Sequence, residues 1–404
     1  MKESGSKATR LLKKRIRSIH RRAKFVGILY LLATIALAAL ACLPLIKIEN
    51  SDYLWLINLD TGAFAGFVEP FTALTSGAEM DAKLLLDVVS AVLYVLVLLI
   101  AVINVIRCFT KLNFLFKKKA SRSLGFNRNM FAMDQMGKAY SASFIWMVVL
   151  YFFIIMIRTY VFTTTFTLIA LAVGVAFHFI CGLIGSSVTL FVEVENDEQR
   201  FRFTYGENGG TGWSSNTLRV EEQKREQPVR TFFLRNVIQV VLSCVMMYFF
   251  LSFSTVGYAV TDIVGGNMDA LMNDMMGYLI PVAVQLLTAI MTCVVFSYAL
   301  STNEYDRDCM GDKVRVKRRW NRANICLVMI LAVVSLVLPL IAGGEIVTNQ
   351  ILFVILALSM FVLDVAIFPR DKKKWIGGVI WDGCEPYATY SPRHSDCELY
   401  RPTF

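Results

Sequence analysis

Hydrophobic residues in this chain come in long blocks separated by charged and polar connections. The blocks run about 19 to 29 positions, and an α-helix needs ~20 residues to cross ~30 Å of hydrocarbon. Eight spans can be read, at roughly 25–46, 84–107, 143–162, 164–191, 232–258, 277–300, 324–342 and 350–369. None shows the ~10-residue alternation of a transmembrane barrel. A lipid-exposed backbone must satisfy its hydrogen bonds within its own segment, so each span is predicted as an α-helix. The expected fold class is an all-α polytopic membrane protein, a bundle of eight transmembrane helices with both termini cytoplasmic.

Composition agrees with that pattern. The chain has 404 residues, 56% hydrophobic and only 18% charged, where soluble proteins carry about 25% charge. Its net charge of +10 would point to nucleic acid if the charges were scattered, but they are sorted. All but three of the 41 Lys and Arg fall on one side of the expected topology; Lys47, Lys83 and Arg158 are the exceptions. That is the positive-inside pattern, so the expected partner is a bilayer with an anionic cytoplasmic leaflet, not nucleic acid. The opposite connections carry Asp52, Asp60, Glu69, Asp81, Asp262 and Glu345. None of the nine cysteines falls in an outer connection, so no extracellular disulfide framework is expected. The first span is too long for a cleavable leader and reads as a retained signal-anchor in the cell membrane.

Five segments follow: a basic N-terminal segment (1–24), a first four-helix half (25–191), a cytoplasmic insert (192–231), a second four-helix half (232–369) and a cytoplasmic tail (370–404). In the first segment Leu11, Leu12, Ile16 and Ile19 share one helical side among cations, as in an interfacial helix or a plain topogenic cluster. The insert alternates through Phe191, Glu193 and Glu195, then Phe201, Phe203 and Tyr205, around Asn196-Asp197. This predicts a small β-hairpin, with 218–223 as a third strand or a helix start. The aromatic connection 47–83 is expected to form short helices on the outer surface. Each half runs span, long outer loop, span, basic inner loop, span, short turn, span, a rhythm that reads as a 4+4 parallel repeat. The shared Leu-Pro-Leu-Ile endings at 43–46 and 338–341 do not fit its register.

Candidate chemistry centres on the fourth span. Ala170, Gly174, His178, Gly182 and Ser186 recur every four residues, so small residues and one imidazole share a helix face. An ionisable group inside a membrane span is a functional candidate by default, and imidazole titrates near neutrality. The small positions read as a helix-packing face. Asp87 and Arg158 lie at similar outer depth and could pair, and Gln285 and Asn104 are further polar groups within spans. Cys181 beside His178 lacks further ligands, and Cys384, His394 and Cys397 match no zinc spacing. No metal or cofactor is therefore expected. With no phosphate-binding loop, His-Glu-x-x-His or Gly-x-Ser-x-Gly, an enzyme is not the expected class.

Two function classes fit. The first is a transporter or channel-like permease with His178, Gln285, Asn104, Asp87 and Arg158 along a substrate or ion path. Its acidic outer face would favour cation- or proton-linked transport over anions. The second is a non-catalytic membrane subunit or assembly factor, docking a partner membrane protein or a second copy through the small-residue face.

Overall fold

A computed structural model describes residues 2–48, 54–77, 81–116, 127–157, 161–163, 165–186, 190–196, 199–205, 219–222, 229–266, 275–301 and 311–367. Within them, six helices hold stretches long and apolar enough to cross a membrane. They are α1 (Lys2–Cys42), α3 (Ala82–Phe116), α4 (Asn127–Ile157), α8 (Ile280–Ser301), α9 (Gly311–Ile341) and α10 (Thr348–Val362). Two more, α6 (Val229–Leu251) and α7 (Val256–Val264), are bent by 46° across a short break and together make a seventh candidate. Helix α5 (Thr165–Ser186) has 22 residues, and its apolar stretch among the fully described residues is Leu168–Cys181. The architecture is helical and fits a polytopic membrane protein; among the described residues length and composition count six crossings, or seven with the bent pair, beside the eight expected from the sequence. The expected single span at 232–258 is interrupted because Leu251 ends α6 and the chain turns through Ser252–Thr255.

The exposed surface supports the membrane assignment independently. Only 33% of the α3 stretch and 28% of the α9 stretch is buried inside the protein. Leu99, Val102 and Ile106 on α3, and Ile330 and Val333 on α9, therefore face outward. Water penalises so continuous an apolar surface, whereas hydrocarbon does not.

The helices pack as two groups of four. In the first, α1, α3 and α4 pack on one another and α5 lies against α1 and α4. In the second, α6, α8, α9 and α10 close a ring, each touching the next and α10 returning to α6. The core of the first group is aromatic: the Tyr140 ring stands 5.8 Å from Tyr30 and 5.1 Å from Phe177. In the second, Phe250, Phe253 and Phe353 interlock at 5.0 to 5.6 Å. The groups meet where Phe152 of α4 reaches Phe250 of α6 and where α7 packs on α3 and α4.

Short elements decorate both ends. Strands β1 (Ile46–Ile48) and β2 (Val161–Thr163) pair antiparallel, tying the end of α1 to the connection between α4 and α5. Tyr94 of α3 donates to the Ala41 carbonyl at 2.6 Å and fastens the same end. The aromatic connection then folds through a 3-10 turn at Gly66–Val68 into the short helix α2 (Glu69–Thr75). A Cβ on Gly66 would lie 2.4 Å from the Trp55 indole, so the backbone approaches that ring as only glycine permits.

Strands β3 (Leu190–Asn196), β4 (Gln199–Tyr205) and β5 (Arg219–Glu222) form an antiparallel sheet, with β4 in the middle. Its register sets Glu193 opposite Arg202, Arg202 opposite Glu221, and Glu195 opposite Arg200. The neighbouring positions match Val192 with Phe203, Val194 with Phe201 and Phe203 with Val220. Such a register is what the period-2 alternation of the sequence specifies.

Candidate functional site

The structure places the residues singled out from the sequence in separate neighbourhoods. His178 is 5% exposed, its Nδ1 lies 3.2 Å from Ser141 Oγ on α4, and the Tyr140 ring is nearly parallel to it at 6.4 Å. One turn earlier, Gly174 accepts a hydrogen bond from the Tyr140 hydroxyl through its carbonyl, at 3.0 Å. A Cβ there would stand 2.2 Å from the Phe144 ring. Gly174 and His178 thus pack on α4 of the same chain, whereas Ala170 lines the groove between the helix groups. The surroundings of Gly182 and Ser186 lie outside the described residues, as does Arg158 with its expected pairing to Asp87.

Gln285 of α8 has a structural occupation. Its Oε1 accepts from the Thr255 backbone N–H at 2.8 Å and the Thr255 hydroxyl at 3.0 Å, pinning the break between α6 and α7. Asn104 Oδ1 accepts from Arg107 Nη1 at 3.3 Å within α3. Asp87 is buried on the same helix. His178, Gln285 and Asn104 share no hydrogen-bond partner.

A denser polar cluster joins three helices at the opposite end from the β1–β2 ladder. Asp364 sits in a π-helical turn, Leu363–Ile367, directly after α10. Its side chain is fully buried. Its Oδ1 accepts from Arg235 Nη2 at the start of α6 and from Gln239 Nε2 at 3.1 Å. Its Oδ2 accepts from Arg322 Nε of α9 at 2.8 Å, and Arg322 Nη2 donates to the Asp364 carbonyl at 3.3 Å. Asn321 Nδ2 completes the chain by donating to Gln239 Oε1 at 3.0 Å. In the sequence Asp364 is a charge near a span end, Gln239 a polar group within a span, and Arg322 and Arg235 cations at span boundaries where topology already explains them. One signal was available: Asp364 is the lone carboxylate within the four expected spans of the second half. A single acid in an apolar run needs a cation nearby.

The second feature is an open groove where the two groups meet. Its walls include Leu37 and Leu45 at the end of α1, Phe144 to Ile155 on α4, Leu168 to Leu171 on α5, and Cys244 to Leu251 on α6. All lie toward the end marked by the β1–β2 ladder. Among the described residues no charged side chain lines it. The Tyr151 hydroxyl in its wall is buried without a hydrogen-bond partner among the described residues.

Family models, curated proteins and solved structures give no match to this chain. Function must therefore be argued from these two places. Among the described residues no three His, Cys, Asp or Glu side chains gather as metal ligands would. The polar cluster can hold helices together and bind anions through guanidinium. The groove can hold an apolar molecule.

Proposed function

We propose that this is a membrane transport protein whose cargo carries an apolar chain, held in the groove between the two helix groups. The groove itself carries the reading. Its described lining is apolar, as the walls of ligand sites mostly are, and both groups contribute walls. A site at the seam between halves suits carriers built from repeated units.

Length selects the occupant. The α4 wall runs from Phe144 to Ile155, about 16 Å at ~1.5 Å per residue, or roughly half of the ~30 Å hydrocarbon layer. One leaflet's acyl chain, or a ligand of that length, matches it; a spanning partner helix does not. Docking of a partner helix through Gly174 is also disfavoured, because Phe144 already fills that space. A polar ion path along His178, Gln285 and Asn104 has little support, since each is engaged locally. The acidic connections continue to favour a cationic or zwitterionic end on the cargo over an anionic one. A 4+4 repeat remains part of this proposal: each half carries a short helix between its first two spans, α2 in one and α7 in the other.

The test uses the full chain in liposomes and a fluorescent lysophosphatidylcholine, with transbilayer movement followed by quenching. Wild type should move the probe at least about tenfold faster than empty liposomes, and Leu171→Trp or Met247→Trp should remove that gain by filling the groove. His178→Ala should keep most of it. Movement no faster than in empty liposomes, or unchanged by both tryptophans, overturns the reading.

A further inference from the structure

We infer that Arg322 forms a binding site for an anionic phosphate group at the basic end of the second helix group. A guanidinium offers five N–H groups along two forked edges. The Nε edge of Arg322 is committed to Asp364, with Nε on Oδ2 and Nη2 on the backbone carbonyl. Nη1 makes no hydrogen bond to a described residue, so the Nη1–Nη2 edge is open. That edge has the geometry that takes two phosphate oxygens at once.

Charge points the same way. Arg322 shares its one described carboxylate with Arg235, so its own charge is only partly balanced. Its side chain is 29% exposed while Asp364 is fully buried, which makes Arg322 the member of the cluster that a ligand can reach. Because Asp364 already fixes the side chain, binding costs little further rotamer entropy.

Position supplies the third line. Arg322 is the second residue of the apolar stretch Asn321–Ile341, at the level where a helix meets the headgroup layer. Helix α9 continues beyond that boundary to Gly311. In the sequence Arg315, Arg318 and Arg319 precede Arg322 by seven, four and three residues, so the segment leading to it is strongly basic. Basic segments at this level attract anionic headgroups. The phosphate could belong to a lipid headgroup or to free phosphate, and the two sources are separable.

The experiment takes the full chain in detergent, equilibrates it with equal amounts of phosphatidylglycerol and phosphatidylcholine, and counts retained lipid by native mass spectrometry. Wild type should retain the anionic lipid about tenfold over the zwitterionic one. Arg322→Gln should bring the ratio near one, and Arg322→Lys should fall between, since an ammonium lacks the fork. Millimolar inorganic phosphate added as competitor should leave the lipid in place; displacement would assign the site to free phosphate. Should Arg322→Gln not fold, wild type still decides, because the preference should collapse as ionic strength rises tenfold. Equal retention of both lipids by wild type, or a preference insensitive to both Arg322 and salt, overturns the inference. A failed transport assay would leave it standing, because the groove lies at the other end of the bundle.

Discussion

The two helix groups share a plan and differ in what closes them. Both are sets of four packed apolar helices with interlocked aromatic residues between them. The first leans on shape: Gly174 lets Phe144 in, and polar contacts such as Ser141–His178 and the Tyr140 hydroxyl on the Gly174 carbonyl lie alongside that fit. The second is closed by charge, with Asp364 held by Arg235 and Arg322 from two other helices. Apolar packing in a membrane gains nothing from expelling water, since lipid is as apolar as leucine. Specificity must then come either from close steric fit or from polar groups that have no alternative partner. Each group uses one of these routes.

The largest expected effect tests the charged route. Asp364→Leu strands Arg235, 3% exposed, without its carboxylate, and should cost about 3–5 kcal/mol. Removing both charges, as Asp364→Leu with Arg235→Met, should recover most of that loss, because well-packed apolar replacements of buried pairs are often neutral. Both are readable as thermal unfolding midpoints of the full chain in detergent. If the double variant is as unstable as the single one, the cluster is more than a closed pair and the contrast between the groups is overstated.

The steric route should break by a different substitution and by somewhat less. In Gly174→Leu the new side chain meets Phe144, whose ring already lies 2.2 Å from the Cβ position. Overpacking of this kind costs about 1–3 kcal/mol. Phe144→Ala in the same chain should relieve part of it, a coupling that a double-mutant cycle measures directly. Additive effects would mean that α5 and α4 do not meet as described.

How much of this was legible in the sequence follows from the same contrast. Apolar run length is a local property, so α1, α3, α4, α8, α9 and α10 could all be anticipated, and so could the alternating strands of the insert. The break at Ser252–Thr255 could not, because it depends on Gln285 reaching Thr255 from another helix. His178 stood out in one dimension as the single imidazole in an apolar run, yet its surroundings are ordinary packing. Arg235 and Arg322 were camouflaged among the basic residues that topology already explains, and only their convergence on Asp364 distinguishes them. The groove was invisible because its walls come from α1, α4, α5 and α6, and each wall alone is an unremarkable apolar face.

The smallest expected effect sharpens the comparison most. If the first group is closed by shape, its polar pair should matter little. Ser141→Ala removes one hydrogen bond to His178 and should cost only about 0.5–1.5 kcal/mol. The lower end is favoured, because interhelical hydrogen bonds in membranes average about 0.6 kcal/mol. Gln239→Leu is the matched deletion in the second group: it takes a donor from a fully buried carboxylate and leaves Asn321 Nδ2 without its acceptor. That loss should exceed the Ser141→Ala loss, because bonds to charged groups are worth about 1.5–3 kcal/mol. Unfolding midpoints of the two variants, measured side by side, should therefore fall in that order. The reverse order would move the indispensable polar contact to Ser141–His178, and would make the imidazole the first group's closing element in place of the Gly174–Phe144 fit.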